Sequence, residues 1–159
     1  MDTKWKIFRV INTIEIVLFG FDFLSGYYFN PLHFHNASDY VSFALQLLFL
    51  FIITANCINN ISLIDLYSRN LKIARSKKIF FWILFALFLL VNLFFGMVDV
   101  LVMYYGLNAT IVLYKVIANL LVCIIGIYIL INQTKLFKTI KKAYKESTIA
   151  IVDGIGQIE

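Results

Sequence analysis

Apolar residues fill four stretches of this chain almost without interruption, at 7–29, 40–64, 79–105 and 109–132, and the polar residues gather mostly between them. Each stretch reaches the roughly 20 residues that a helix needs to cross a hydrocarbon core of about 30 Å. None alternates between apolar and polar positions as the strand of a membrane barrel does. The pattern predicts an all-α, polytopic membrane protein, with a bundle of four transmembrane helices in two hairpins occupying residues 1–132. The first stretch begins at residue 7 and is followed by no small-residue cleavage site, so it reads as a retained span and not as a signal peptide.

Beyond residue 132 the pattern changes. Leu136, Phe137, Ile140, Ala143 and Tyr144 recur at helical spacing, while Lys135, Lys138, Lys141, Lys142 and Lys145 take the other positions. Residues 133–159 are therefore expected to be a basic tail whose short amphipathic helix lies at the inner membrane interface, with its lysines at anionic lipid headgroups.

Polar residues inside the spans interrupt the apolar pattern at regular steps. Asn12, Glu15, Asp22 and Gly26 fall on one helical face in the first span, and Ser42, Gln46, Asn56 and Asn60 in the second. Asn92 and Asp99 do so in the third, and Lys115, Asn119, Gly126 and Gln133 in the fourth. A lipid-facing carboxylate or amide has no partner, so the four stripes are expected to turn inward and form one polar seam. Counting from the second outer turn, Asp99 and Lys115 lie at similar depth and are expected to pair, with Asp22 near them. Three acids and one lysine cannot all be charged cheaply in one seam. The sequence thus expects a bound cation or a proton there, with Glu15 the first candidate to hold it.

A shift of 77 residues lays Glu15 on Asn92, Asp22 on Asp99 and Tyr27-Tyr28 on Tyr104-Tyr105; a shift of 72 lays Asn36-Ala37-Ser38 on Asn108-Ala109-Thr110. The two hairpins thus read as a possible internal repeat about an axis along the membrane normal. The tyrosine pairs also suit the outer interface, and Trp5 and Trp82 the inner one.

Composition agrees with a membrane protein: 62% of residues are hydrophobic and the mean hydropathy is +0.87. Thirteen of the 14 Lys and Arg residues lie before or at the start of the first span, between the second and third, or after the fourth. That bias places both termini on the cytoplasmic side, or on the matrix or stroma side in an organelle. The basic balance is a topology signal, and no nucleic-acid-binding motif accompanies it.

Several chemistries lack their essential residues. Cys57 and Cys123 form no C-x-x-C pair, and no span holds a histidine to ligate haem. His33 and His35 sit one residue apart in the first outer loop and read as solvated interfacial residues, so no metal or cofactor is expected. Asn36 and Asn108 match the glycosylation acceptor pattern close to the membrane. No nucleophile stands beside a base, which argues against an enzyme. The sequence expectation is a non-enzymatic membrane subunit or scaffold organised by its polar seam. The alternative is a small proton- or cation-coupled transporter or channel using Glu15, Asp22, Asp99 and Lys115. Either reading expects a homo-oligomer or a subunit of a membrane complex.

Overall fold

In the computed structural model the chain forms four α-helices: α1 (Thr3–Tyr28), α2 (Ala37–Ser68), α3 (Arg75–Tyr104) and α4 (Thr110–Ile155). The structure describes residues 3–28, 37–69, 71–104 and 110–155, and within them not the side chains of 22, 25–28, 37–39, 98, 99, 101–104, 110–116, 118 and 150–155. There is no strand among the described residues.

Neighbouring helices run antiparallel. Trp5 packs on Tyr67 and Phe23 on Phe43 between α1 and α2, while Phe81 stacks on Phe137 and Asn92 meets Cys123 between α3 and α4. Each helix touches the next around a square, and α2 also approaches α4 across the middle. α1 and α3 stand at opposite corners and reach each other through long side chains, as where Phe19 meets Phe95 edge-on at 5.5 Å between ring centres. The bundle is therefore a rhombus whose short diagonal joins α2 and α4.

Among the described residues three helices, α2, α3 and α4, each contain a stretch long and apolar enough to cross a membrane, which marks the chain as a membrane protein; by the described residues α1 is not among them. The surface agrees. Phe51 is 69% exposed, Met97 67% and Ile124 61%, and such apolar side chains cover the outward faces where a water-soluble bundle carries charge.

The helices outrun the apolar stretches at the end where the basic residues gather. At 1.5 Å per residue, the 46 residues of α4 measure about 69 Å, far more than a bilayer core of about 30 Å. The residues expected to form a separate interfacial helix instead continue α4 without a break. Their apolar face is partly covered by the protein itself: Leu136 and Ile140 are buried, and Phe137 lies stacked on Phe81 at 4.5 Å. Trp5 also departs from expectation. It is buried against Phe8 and Tyr67, whereas Trp82 is exposed. The third residue of α1 belongs to the core because α2 extends equally far, to Ser68, and covers it.

The link between α2 and α3 is short and pinned. The Asp65 carbonyl accepts from the Arg69 amide at 3.2 Å and from Ser68 Oγ at 2.8 Å, and the Leu66 carbonyl accepts from the Leu71 amide at 3.0 Å. These bonds satisfy carbonyls that the end of α2 leaves without helical partners. Ile73 turns back into the core from this link.

Candidate functional site: a buried polar seam

Asn12, Glu15, Asn56, Asn59, Asn60, Asn92, Asn132 and Gln133 are all buried. A buried amide without a partner is costly, so where each one bonds decides what the seam can do.

One cluster joins three helices. Asn60 Nδ2 on α2 donates to Asn12 Oδ1 on α1 at 3.0 Å and to Gln133 Oε1 on α4 at 2.9 Å. Asn12 in turn donates to the Phe8 carbonyl at 2.8 Å, which fixes its amide with the oxygen toward Asn60. One side chain thus ties together residues 48 and 73 positions away in the chain. The cluster sits just inside the basic end, where Arg9 pairs with Asp65 at 3.0 Å in a half-exposed ion pair. By the rise of a helix, Asn12 lies about 4.5 Å deeper than Arg9 and Glu15 about 9 Å deeper.

Glu15 is fully buried, and neither carboxyl oxygen has a hydrogen-bond partner. The register that brings Asn12 to Asn60 sets Glu15 level with residues 56 and 57, and the Cys57 thiol is within its electrostatic reach. Asn56 there is also unpartnered through both Oδ1 and Nδ2. Glu15 and Asn56 are thus two buried polar side chains at one level of the bundle, neither with a hydrogen bond of its own. The carboxyl accepts only when ionised and gains one donor when protonated. Such a pair suits a proton or a cation, which would supply the missing partner.

The second hairpin has its own contact. Asn92 on α3 donates to the Phe88 carbonyl at 2.9 Å, its carbonyl accepts a weak bond from Cys123 Sγ at 3.7 Å, and its side chain lies against Gly126 of α4. A Cβ at position 126 would overlap the Asn92 amide, so the absence of a side chain on Gly126 sets how closely α3 and α4 approach there.

Of the candidates read from the sequence, Glu15, Asn56 and Asn92 are buried in the seam, and Asn119 is half-buried with a partner. Gln46 is exposed, together with Ser42. The side chains of Asp22, Asp99 and Lys115, and with them the expected Asp99 to Lys115 pair, lie outside the described residues, as do both histidines and both Asn-x-Ser/Thr sites. Lys135, Lys138, Lys141, Lys142 and Lys145 are exposed along α4, where Lys142 meets Glu146 at 3.7 Å. Among the described residues no three His, Cys, Asp or Glu side chains converge as metal ligands would.

Two features were not drawn from the sequence. Asn132, which donates to the Tyr128 carbonyl at 2.9 Å, stands beside Gln133 in "NQT" and was visible as a paired polar interruption. Asp65 was visible as the one acid between the second apolar stretch and the basic link, a natural partner for a cation at the start of α1.

Comparison with protein-family models, with curated proteins and with solved structures yields no match to this chain. What can be said of function rests on the seam and the surfaces around it.

Proposed function

We propose that this chain is a non-enzymatic, four-span membrane protein that works as a subunit or scaffold, and that its polar seam holds the helices in one packing arrangement. The observation that carries the reading is Asn60, whose amide bridges α1 and α4 from the middle of the bundle. Interhelical amide bonds favour one register over its neighbours, because any slip leaves a polar group unpaired in hydrocarbon. A fourth span by α1 is supported by its two faces: Phe8, Asn12, Glu15 and Phe19 are buried while Val17 and Phe21 are more than 60% exposed. With four spans, the basic clusters share one side, and the Lys and Arg bias assigns that side to the cytoplasm, matrix or stroma.

A second reading is favoured by Glu15 and Asn56. A seam that served packing alone gains nothing from a carboxyl without a partner, and a half-satisfied polar network is worse than an apolar one. Transfer of a proton or a small cation through the bundle gives those two side chains a use.

One experiment separates the two. The purified protein is reconstituted into vesicles containing a pH-sensitive dye, a membrane potential is imposed, and the molecular mass of the same preparation in detergent is measured. The scaffold reading expects no flux above that of empty vesicles and a defined assembly mass, a multiple of 18.4 kDa, that is lost in Asn60→Ala. A proton flux abolished by Glu15→Gln, with the mass unchanged, would establish transport instead.

A further inference from the structure

Where the α4 arm passes the α2–α3 link, the structure leaves an open groove of about 380 Å³, within the size range of small-molecule sites. Its floor is apolar, formed by Ile73, Phe137, Ile140 and Ile149, and its rim carries Lys72, Lys78, Lys141 and Lys145. We propose that this groove is a binding site for one anionic phospholipid of the surrounding membrane, with the headgroup phosphate among the lysines and an acyl chain along the floor.

Three observations support that occupant. The first is the charge balance. Some cations at this end have company: Arg9 with Asp65, Lys77 with Ser62 at 2.6 Å, Lys142 with Glu146 and Lys4 over the Trp5 ring. Lys6, Arg69, Arg75, Lys135 and Lys138, outside the groove, have no ion-pair or hydrogen-bond partner for their side chains among the described residues. Among the described residues, the ammonium groups of Lys78, Lys141 and Lys145 have no ion-pair or hydrogen-bond partner. Lys141 and Lys145 are moreover four residues apart on one helix, where like charges repel unless an anion lies between them. The second is the combination of an apolar floor with a cationic rim. Free phosphate has no use for the floor, and a neutral lipid has none for the rim. The third is position. The groove walls are the α2–α3 link, the start of α3 and the part of α4 that runs past its apolar stretch, so the groove lies at the basic interfacial end of the bundle, at the level of lipid headgroups and next to the hydrocarbon on the Phe137 side. Lys72 lies 5.6 Å from the centre of the Tyr144 ring, which fixes one edge of the rim.

The inference requires only that α3 and α4 cross a bilayer, so it stands or falls separately from the scaffold and transport readings. Its test is native mass spectrometry of the detergent-solubilised full chain, titrated with phosphatidylglycerol or with phosphatidylcholine of the same acyl chains. Wild type is expected to bind one phosphatidylglycerol in preference to phosphatidylcholine. At about 1 kcal/mol per lysine near a lipid surface, the double substitution Lys141→Gln and Lys145→Gln should weaken that binding by about 20- to 30-fold. The substitutions Lys135→Gln and Lys138→Gln, which remove the same charge from outside the groove, should leave it within about twofold. Equal losses in the two double variants would reduce the site to diffuse surface charge and overturn the proposal. Displacement of the lipid by equimolar inorganic phosphate would overturn it in favour of a free anion.

Discussion

Asn60 has one amide nitrogen serving two acceptors on two different helices, and removing it leaves the oxygens of Asn12 and Gln133 without their donor in a buried setting. Bonds between membrane helices average about 0.6 kcal/mol and reach about 1.7, so Asn60→Ala is expected to cost about 1 to 2 kcal/mol. Denaturation of the reconstituted protein by increasing detergent measures it. A cycle with Gln133→Ala should return a coupling of at least about 0.5 kcal/mol, because the two side chains share a bond. Glu15→Gln behaves differently. The carboxyl has no partner to lose, so a nearly isosteric amide should leave stability within about 0.5 kcal/mol of wild type by the same measurement. At this scale the sequence was legible where a polar residue broke an apolar run. Asn12, Glu15, Asn56, Asn60, Asn92 and Gln133 were all placed on inward stripes by helical spacing, and all are buried. Spacing does not say which pairs meet, since that depends on the register between helices far apart in sequence. Spacing also placed Gln46 on the inward face, at the same helical angle as the buried Ile64. Gln46 is nevertheless exposed with its neighbours 44–48, because the first turns of α2 are less covered than the turns around Asn60.

Between elements, two contacts decide how the second hairpin is built. Gly126 admits the Asn92 side chain, and Asn92 cannot simply swing aside without giving up its bond to the Phe88 carbonyl. Gly126→Ala is accordingly expected to destabilise the protein by about 1 to 3 kcal/mol, the usual cost of overfilling a packed contact. The double variant with Asn92→Ala should recover most of that loss, because it removes the atoms that the new methyl group meets. The second contact is the stack of Phe81 on Phe137, which holds the arm of α4 to the start of α3. Phe137→Ala should increase backbone hydrogen exchange in residues 141–149 relative to residues 120–130, since a stacked aromatic pair contributes about 0.5 to 1.5 kcal/mol beyond its buried area. Four helices could be read from the apolar runs to within a few residues at most of their described ends. The continuity of α4 could not, because a change from apolar to amphipathic pattern marks a change of surroundings and not a break in the helix. The buried state of Leu136 and Ile140 depends on α3 and the link folding back beside them, which no local pattern records.

For the whole molecule, the rhombic arrangement sets α1 opposite α3 and α2 opposite α4. Glu15 and Asn92, matched by the 77-residue shift, both lie buried toward the next helix of their own hairpin, near Cys57 and Cys123 respectively. The central claim is that all four helices cross the membrane and bring the basic clusters to one side. α1 decides it, since α2, α3 and α4 carry apolar stretches of membrane-spanning length and α1 rests on its two-faced burial. The most direct measurement is labelling of Lys6→Cys, Ser76→Cys and Lys145→Cys, each made singly, with a membrane-impermeant maleimide added to sealed vesicles of known orientation. All three positions are exposed, and the native Cys57 and Cys123 are buried and contribute little background. Four spans predict that the three new cysteines react from the same side of the membrane. Reaction of Lys6→Cys from the side opposite to Ser76→Cys and Lys145→Cys would contradict the account and leave α1 outside the membrane-crossing bundle.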